Sequence, residues 1–125
     1  MKISKRHILI GSASLATALT LGAAMAQETV KVVGVIEMSG AGATAGTNYK
    51  NGAQLAVDEI NAKGGILGKK VEFIVYDTQT NPGNTRAAVQ RGIDEGAYAI
   101  FGPVFSGPIG ASMQIADKAG VPQIV

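Results

Sequence analysis

Cysteine and tryptophan are absent from the 125-residue sequence, and the single histidine is His7. His7 lies in a segment that we expect to be removed, so the mature chain carries neither a thiol nor an imidazole. Their absence excludes cysteine nucleophiles, histidine general bases and Cys/His zinc sites. The lack of cysteine also excludes disulfides and lipid attachment through a cysteine. The mature domain is therefore expected to be held together by its core alone, without a metal.

The first 26 residues have the layout of a secretory signal peptide. Three basic residues lie among the first six, residues 8–23 are apolar, small and uncharged, and residues 24–26 read Ala-Met-Ala. We predict cleavage after Ala26, export to the periplasm and a mature domain of residues 27–125. The alternative is an uncleaved membrane anchor, because the apolar stretch approaches the ~20 residues that a membrane span needs.

Removal of the leader changes the charge of the protein. Of the 11 basic residues, three lie in the leader, so eight remain against nine acidic residues and the net charge becomes −1. The mature chain has no excess of positive charge from which a basic patch could form. A nucleic-acid partner is therefore not expected.

Apolar runs alternate with amphipathic segments along the mature chain. The runs predict strands over residues 30–36, 71–76, 98–101 and 123–125. The amphipathic segments, with their glycine and proline boundaries, predict helices over residues 48–63, 82–95 and 108–119. The order β-α-β-α-β-α-β predicts a Rossmann-like α/β fold with a parallel sheet and right-handed crossovers.

The predicted topology places a ligand site at the carboxyl ends of the strands. In such sheets the first strand is central, with the second strand on one side and the third on the other, and ligands bind where the order reverses. The segments that meet there are residues 37–47 and 102–107, and both are rich in glycine. The sequence therefore predicts a binding site between these two segments.

The first of these segments contains the stretch MSGAGATAG at residues 38–46, with three glycines and three alanines in nine positions. We interpret it as making room for a small zwitterionic or carboxylate-bearing solute. Ser39, Thr44 and Thr47 add hydroxyl donors. Ordinary helix capping or turn formation is the alternative role of these hydroxyls.

The second segment ends in Ser106-Gly107, at the predicted opening of the third helix. Backbone N–H groups and the helix dipole favour a carboxylate or phosphate at such a position, and the Ser106 hydroxyl is a further donor. Neither segment contains Lys or Arg. Neutral donors are therefore expected to hold the ligand, with helix capping as the alternative role of Ser106.

A dinucleotide site is a second interpretation of the same glycines. Gly40, Gly42 and Ala45 match the spacing G-x-G-x-x-A, and Asp77 follows a predicted strand where an acid can bind a ribose hydroxyl. The fingerprint requires a direct turn from strand into helix, whereas the predicted helix begins only at residue 48. An exported dinucleotide-dependent oxidoreductase is therefore the weaker alternative, and we expect no cofactor.

Other catalytic chemistry has few candidate residues. Asp58 and Glu59 are adjacent on a predicted helix and point in different directions, so they do not form an acid–base pair. No serine has an imidazole partner in the mature chain. We therefore predict that the protein is not an enzyme.

Four motifs carry a resemblance to a known family. They are MSG after the first strand, INAKGGILGKKV at the end of the first helix, YD-x-x-x-x-P after the second strand, and GP-x-x-SG after the third. In combination they resemble the periplasmic binding proteins of branched-chain amino-acid ABC transporters, with the leucine/isoleucine/valine receptors the most similar group. The resemblance spans essentially the whole mature chain.

The resemblance implies a two-lobed receptor of the type I class. Such receptors close on a small-molecule solute and deliver it to an inner-membrane ABC permease, without a cofactor. It also implies that residues 27–125 are only the first part of the N-terminal lobe and bind solute weakly or not at all alone. A complete flavodoxin-like miniature and a ligand-sensing domain of a signalling receptor are the alternatives.

The resemblance further implies the roles of several residues. Ser106 corresponds to the serine that holds the ligand's carboxylate, and in the family backbone groups and a threonine after the fourth strand, beyond residue 125, add to the grip. Gly107 and Ser39 are further ligand-binding candidates in this sequence. Ala45 occupies the place where an aromatic residue often covers the ligand, and Phe105 supplies apolar contact instead. A branched-chain amino acid is the default ligand; an aromatic acid, an amide or another small polar solute remains open.

Overall fold

The computed structural model describes residues 28–125; the signal peptide predicted over residues 1–26 lies outside them. The elements are β1 (Thr29–Ile36), a 3₁₀ turn (Gly40–Gly42), α1 (Ala43–Ala62), β2 (Lys70–Asp77), α2 (Pro82–Asp94), β3 (Ala99–Phe101), α3 (Ser106–Ala119) and β4 (Gln123–Ile124). Within these residues no helix is both long enough and apolar enough to cross a membrane. The predicted order of strands and helices is confirmed.

The four strands form one parallel sheet in the order β2-β1-β3-β4. β1 is central, as predicted, and Val33 is aligned with Ile74 of β2 and with Ile100 of β3. Val35 and Ile36 at the end of β1 have no exposed surface. This burial on both faces explains the almost continuous apolar run of β1, because a central parallel strand is covered above and below.

The main core lies between one face of the sheet and the two helices α2 and α3. Its buried members are Val33, Val35, Ala88, Val89, Ala97, Ile100 and Ala116. α1 covers the opposite face, where the ring of Tyr49 stacks on Phe101 at 4.6 Å between centroids and Phe73 meets Phe101 edge-on. The chain therefore forms three layers, with the carboxyl ends of the strands at one end of the sheet.

The start of α2 agrees with its sequence signal. Asn81 is the N-cap, and its side-chain oxygen accepts hydrogen bonds from the backbone N–H groups of Gly83 (2.7 Å) and Asn84 (3.1 Å). Pro82 occupies the first helical position, where a missing N–H costs nothing. The predicted burial of Val89 in this helix is confirmed.

The starts of the other two helices were predicted too late. α1 begins at Ala43 and not at residue 48, and α3 begins at Ser106 and not at residue 108. The first turn of α1 consists of small residues, and Thr44 and Thr47 are exposed, so no apolar periodicity marks it. The predicted buried face of α1 is also only partly correct, because Ala56 is exposed.

Candidate ligand-binding site

The segments that follow β1 and β3 lie against each other, as the paired strands predict. The carboxylate of Glu37, directly after β1, accepts hydrogen bonds from the backbone N–H groups of Val104 (3.1 Å) and Phe105 (3.3 Å). Glu37 has no exposed surface. The two connections therefore form one continuous surface at the carboxyl end of the sheet.

The β1 segment is also held from its other side, by the turn after β2. The carboxylate of Asp77 accepts hydrogen bonds from the N–H groups of Met38 (2.9 Å), Ser39 (3.1 Å) and Gln79 (2.8 Å), and from the Ser39 hydroxyl (2.6 Å). Partial burial acts to raise the pKa of Asp77, but the bonds from Ser39 and the backbone outweigh it and hold the pKa below the ordinary value of 3.8. Asp77 is thus an ionised anchor for this segment.

Thr80 provides a second anchor from the same turn. Its hydroxyl donates to the carbonyl oxygen of Ser39 (2.9 Å) and accepts from the backbone N–H of Gly42 (3.0 Å). The 3₁₀ turn is therefore fixed at both ends by side chains of the β2–α2 connection.

The glycines of the stretch at residues 38–46 make room for the protein's own atoms and not for a solute, which corrects the sequence interpretation. A Cβ on Gly46 would lie 2.0 Å from the carbonyl oxygen of Glu37, and one on Gly42 would lie 2.7 Å from the ring of Phe105. Gly40 has φ +78°, and a Cβ there would lie 2.8 Å from the carbonyl oxygen of Gln79. These glycines allow α1 and the 3₁₀ turn to pack against neighbouring backbone and side chains.

The residues at the start of α3 are available to a ligand. Phe105 is the N-cap, Ser106 is the first helical residue, and the N-cap side chain makes no capping hydrogen bond. The side chains of Phe105 (39% exposed) and Ser106 are both open to solvent, as is Gly107. The Ser106 hydroxyl makes no hydrogen bond within residues 28–125, so it does not cap the helix.

The candidates on the β1 side have different positions. The Ser39 hydroxyl is occupied by Asp77, so its sequence-predicted role as a free donor is not available in this structure. Ala45 is exposed in the first turn of α1. A shallow depression of about 320 Å³ beside it is lined by Ala43, Thr44, Thr47 and Asn48. The carboxyl end of the sheet thus presents an open floor, with exposed hydroxyl donors at Thr44 and Thr47 of α1 and at Ser106 of α3.

Sequence reasoning missed Glu37 and Thr80, which bind the exit segments together. Glu37 stands 67 residues from Val104, and Thr80 stands 38 residues from Gly42. No local pattern in the sequence links residues so far apart. The strand order, which the alternation predicts, is the only signal that could have suggested these contacts.

The segment after β1 has the strand-to-helix turn that a dinucleotide site needs, but its donor and acceptor groups are already occupied. Since α1 begins at Ala43, directly after the 3₁₀ turn, the argument that a long loop separates strand and helix is wrong. However, the N–H of Gly42 is already bonded to Thr80, and the carboxylate of Asp77 is occupied by the β1 segment. The groups that would hold a pyrophosphate and a ribose hydroxyl are therefore engaged within the protein.

Comparisons with known proteins agree with this architecture. The sequence profile of a family described as periplasmic binding protein matches residues 29–125. The chain is 34% identical over 118 residues to Leu/Ile/Val-binding protein homolog 7 of Brucella abortus, covering 94% of this chain and 29% of that protein. It is 32% identical over 121 residues to the Leu/Ile/Val-binding protein of Escherichia coli, covering 97% of this chain and 32% of that one.

A solved structure shows the same fold. The branched-chain amino acid transporter substrate binding protein LivJ from Streptococcus pneumoniae, in complex with isoleucine, is 39% identical and superposes with a TM-score of 0.75 over 77% of this chain and 28% of that one. The chain thus spans about a third or less of the length of these relatives. The match of the family profile over all but one of the described residues shows that the chain belongs to the periplasmic binding protein family.

Proposed function

We propose that the chain is the first part of the N-terminal lobe of a solute-binding receptor that serves an ABC importer. Its solute is a branched-chain or related amino acid, and its partner in the longer protein is an inner-membrane ABC permease. The precursor is exported to the periplasm and cleaved after Ala26. Two of the relatives are named as a Leu/Ile/Val-binding protein or a homolog of one, and the solved structure is a complex with isoleucine. These names support the assignment.

The observation that carries the proposal is the free donor set at the start of α3. The Ser106 hydroxyl is exposed and unbonded within the described residues, and it lies next to the surface that joins the exits of β1 and β3. Helix N-termini attract anionic groups through unpaired N–H groups and the helix dipole. An amino-acid carboxylate fits this site without a basic side chain.

Neutral donors suit a receptor that must release its solute. A hydrogen bond to a charged group contributes about 1.5–3 kcal/mol. Such bonds favour binding of the zwitterion, and no buried ion pair has to be broken when the solute is released. Phe105 adds an apolar surface beside the hydroxyl, and Gly107 leaves the approach to the backbone open. In this proposal the second lobe supplies the remaining contacts when the receptor closes.

Calorimetric titration of the longer protein with leucine, isoleucine and valine tests the proposal. Ser106→Ala is expected to weaken binding about tenfold or more, because it removes one bond to a carboxylate, and to leave the unfolding free energy nearly unchanged. Ser112→Ala is the control: Ser112 is buried and bonds to Ile109 and Gln123, so its loss lowers stability without changing affinity. Unchanged affinity in Ser106→Ala would contradict the assigned role of this serine.

A further inference from the structure

Glu37 is an acidic side chain buried where no cation accompanies it. It follows β1 directly, has no exposed surface, and forms no ion pair with any residue of the range 28–125. An ionised carboxylate in such a place is costly unless hydrogen bonds compensate it. The function proposed above does not use this residue, so the presence of a buried acidic side chain here needs a separate explanation.

The compensation comes from the turn that leads into α3. The two carboxylate oxygens of Glu37 accept from two successive N–H groups, those of Val104 and Phe105. Both side-chain oxygens of Glu37 therefore act as acceptors for this turn. Phe105 is the N-cap of α3 and has no side-chain acceptor of its own, so the negative charge at this helix start is supplied by a residue of the neighbouring connection.

The position of Glu37 is itself fixed by α1. Gly46 of α1 packs on the carbonyl of Glu37, and Gly42 packs against both its Cβ and the ring of Phe105. Burial raises the pKa of Tyr49, and the negative charge of Glu37 raises it further. α1 therefore fixes the backbone and Cβ of Glu37, and the β3–α3 turn binds its carboxylate.

The donors that Glu37 leaves unused are those that a ligand needs. It occupies the N–H groups of Val104 and Phe105, and Pro108 has no N–H. The N–H of Ile109 is bonded to the carbonyl of Phe105. The N–H groups of Ser106 and Gly107 and the Ser106 hydroxyl remain at the helix start.

We propose that Glu37 is a positioning residue, which clamps the β3–α3 turn and thereby sets where the Ser106 hydroxyl and the first free N–H groups of α3 lie. The consequence for binding rests on the function proposed above. The clamp itself is a property of the chain without solute, so it is tested separately.

Amide hydrogen exchange of the chain, followed by NMR, measures the clamp directly. Glu37→Gln replaces one acceptor oxygen by an NH₂ group that faces a backbone N–H. Exchange at Val104 and Phe105 is expected to accelerate about tenfold or more relative to Ile100, which corresponds to the loss of a hydrogen bond to a charged group. Ile100 lies in β3, and its N–H donates to the carbonyl of Pro122 and not to Glu37.

Thr85→Val is the matched control. Thr85 is equally buried, and its hydroxyl donates to the carbonyl of Asn81 in the β2–α2 connection and makes no hydrogen bond to the β3–α3 turn. It is expected to lower global stability without singling out Val104 and Phe105. If Glu37→Gln produces the same exchange pattern as Thr85→Val, or no change at the two amides, the clamp does not exist.

Glu37→Asp covers the case in which the glutamine variant does not fold. It keeps the charge but shortens the side chain, so the two amides are again expected to exchange faster; protection equal to that of the unchanged chain would overturn the proposal.

Titration of the longer protein with leucine, isoleucine and valine separates the clamp from the proposed function. If no amino acid binds even the unchanged protein, the proposed function fails while the exchange result still decides the clamp.

Discussion

At the scale of single residues, the glycines of this chain differ in what a side chain would meet. Gly46 and Gly52 both lie within α1, but a Cβ at Gly46 would stand 2.0 Å from the Glu37 carbonyl oxygen, whereas a Cβ at Gly52 would meet nothing within 4 Å. The first glycine is required by packing. The second carries only the entropic cost of glycine in a helix.

Gly46→Ala is therefore expected to destabilise the chain by about 3 kcal/mol or more, because α1 must move away from backbone that cannot yield. Gly52→Ala is expected to stabilise it by about 0.5–1 kcal/mol. Urea unfolding of the two variants measures both effects. Equal effects of the two substitutions would show that α1 does not pack on Glu37 in this way.

At the scale of elements, the turns are linked in sequence across the sheet. The β2–α2 turn holds the β1 exit through Asp77 and Thr80, and the β1 exit holds the β3–α3 turn through Glu37. The position of α3 relative to the sheet thus depends on contacts that begin two strands away. Through this linkage the floor of the site has a fixed geometry without any basic side chain in the two segments.

The anchor at Asp77 predicts a dependence of stability on pH. Its folded-state pKa lies below the ordinary value of 3.8, so the folded form binds fewer protons than the unfolded form near that pH. The stability that Asp77 contributes is present above about pH 4 and is lost as the pH falls through the lower, folded-state value.

Asp77→Asn is expected to lower the unfolding free energy by about 1 kcal/mol at pH 7 and to approach the unchanged chain below pH 3.8. Denaturant titrations at a series of pH values measure this. Asp117→Asn is the control, because the Asp117 side chain is exposed and makes no hydrogen bond with the described residues. A constant difference between Asp77→Asn and the unchanged chain from pH 7 to pH 3 would refute the anchoring role.

Much of the element order could be read from the sequence, and the reasons are physical. The central strand β1 is apolar at nearly every position because both its faces are buried, and Asn81-Pro82 marks the start of α2 through side-chain chemistry that acts locally. The start of α1 could not be read, since residues 43–47 are small and mostly exposed. Its position is set by the distant contacts of Gly42 and Gly46 with Glu37.

The candidate site was predicted in outline but not in its internal connections. The adjacency of the β1 and β3 exits followed from strand order, and the exposure of Ser106 agrees with its proposed role. The sequence does not predict the hydrogen bond from the Ser39 hydroxyl to Asp77. A serine in a loop can bond to its own backbone or to a distant side chain, and the sequence alone does not distinguish these partners. The assignment of ligand contacts to Ser106, Phe105 and Gly107 stays a prediction.

At the scale of the whole molecule, the edge of the sheet at β4 has uncovered apolar surface. Met113 of α3 is 53% exposed, and Ile124 and Val125 at the last strand are 54% and 59% exposed. A groove of about 220 Å³ is lined by Met113 and Val125, together with residues of the α3–β4 connection. In the proposed receptor this surface is covered by polypeptide of the longer protein, since an edge strand left open favours aggregation.

The isolated chain is accordingly expected to bind leucine, isoleucine and valine very weakly or not at all. One lobe offers a single surface, and closure around a solute needs two. Calorimetric titration of residues 27–125 beside the longer protein makes the comparison. Micromolar binding by residues 27–125 would show that the second lobe is not required.

The most direct test of the account is a crystal structure of the longer protein with leucine bound. The account predicts that a carboxylate oxygen of the amino acid lies within about 3.2 Å of the Ser106 hydroxyl oxygen, above the surface that joins the exits of β1 and β3. Leucine bound elsewhere, with the Ser106 hydroxyl facing only solvent, would contradict it.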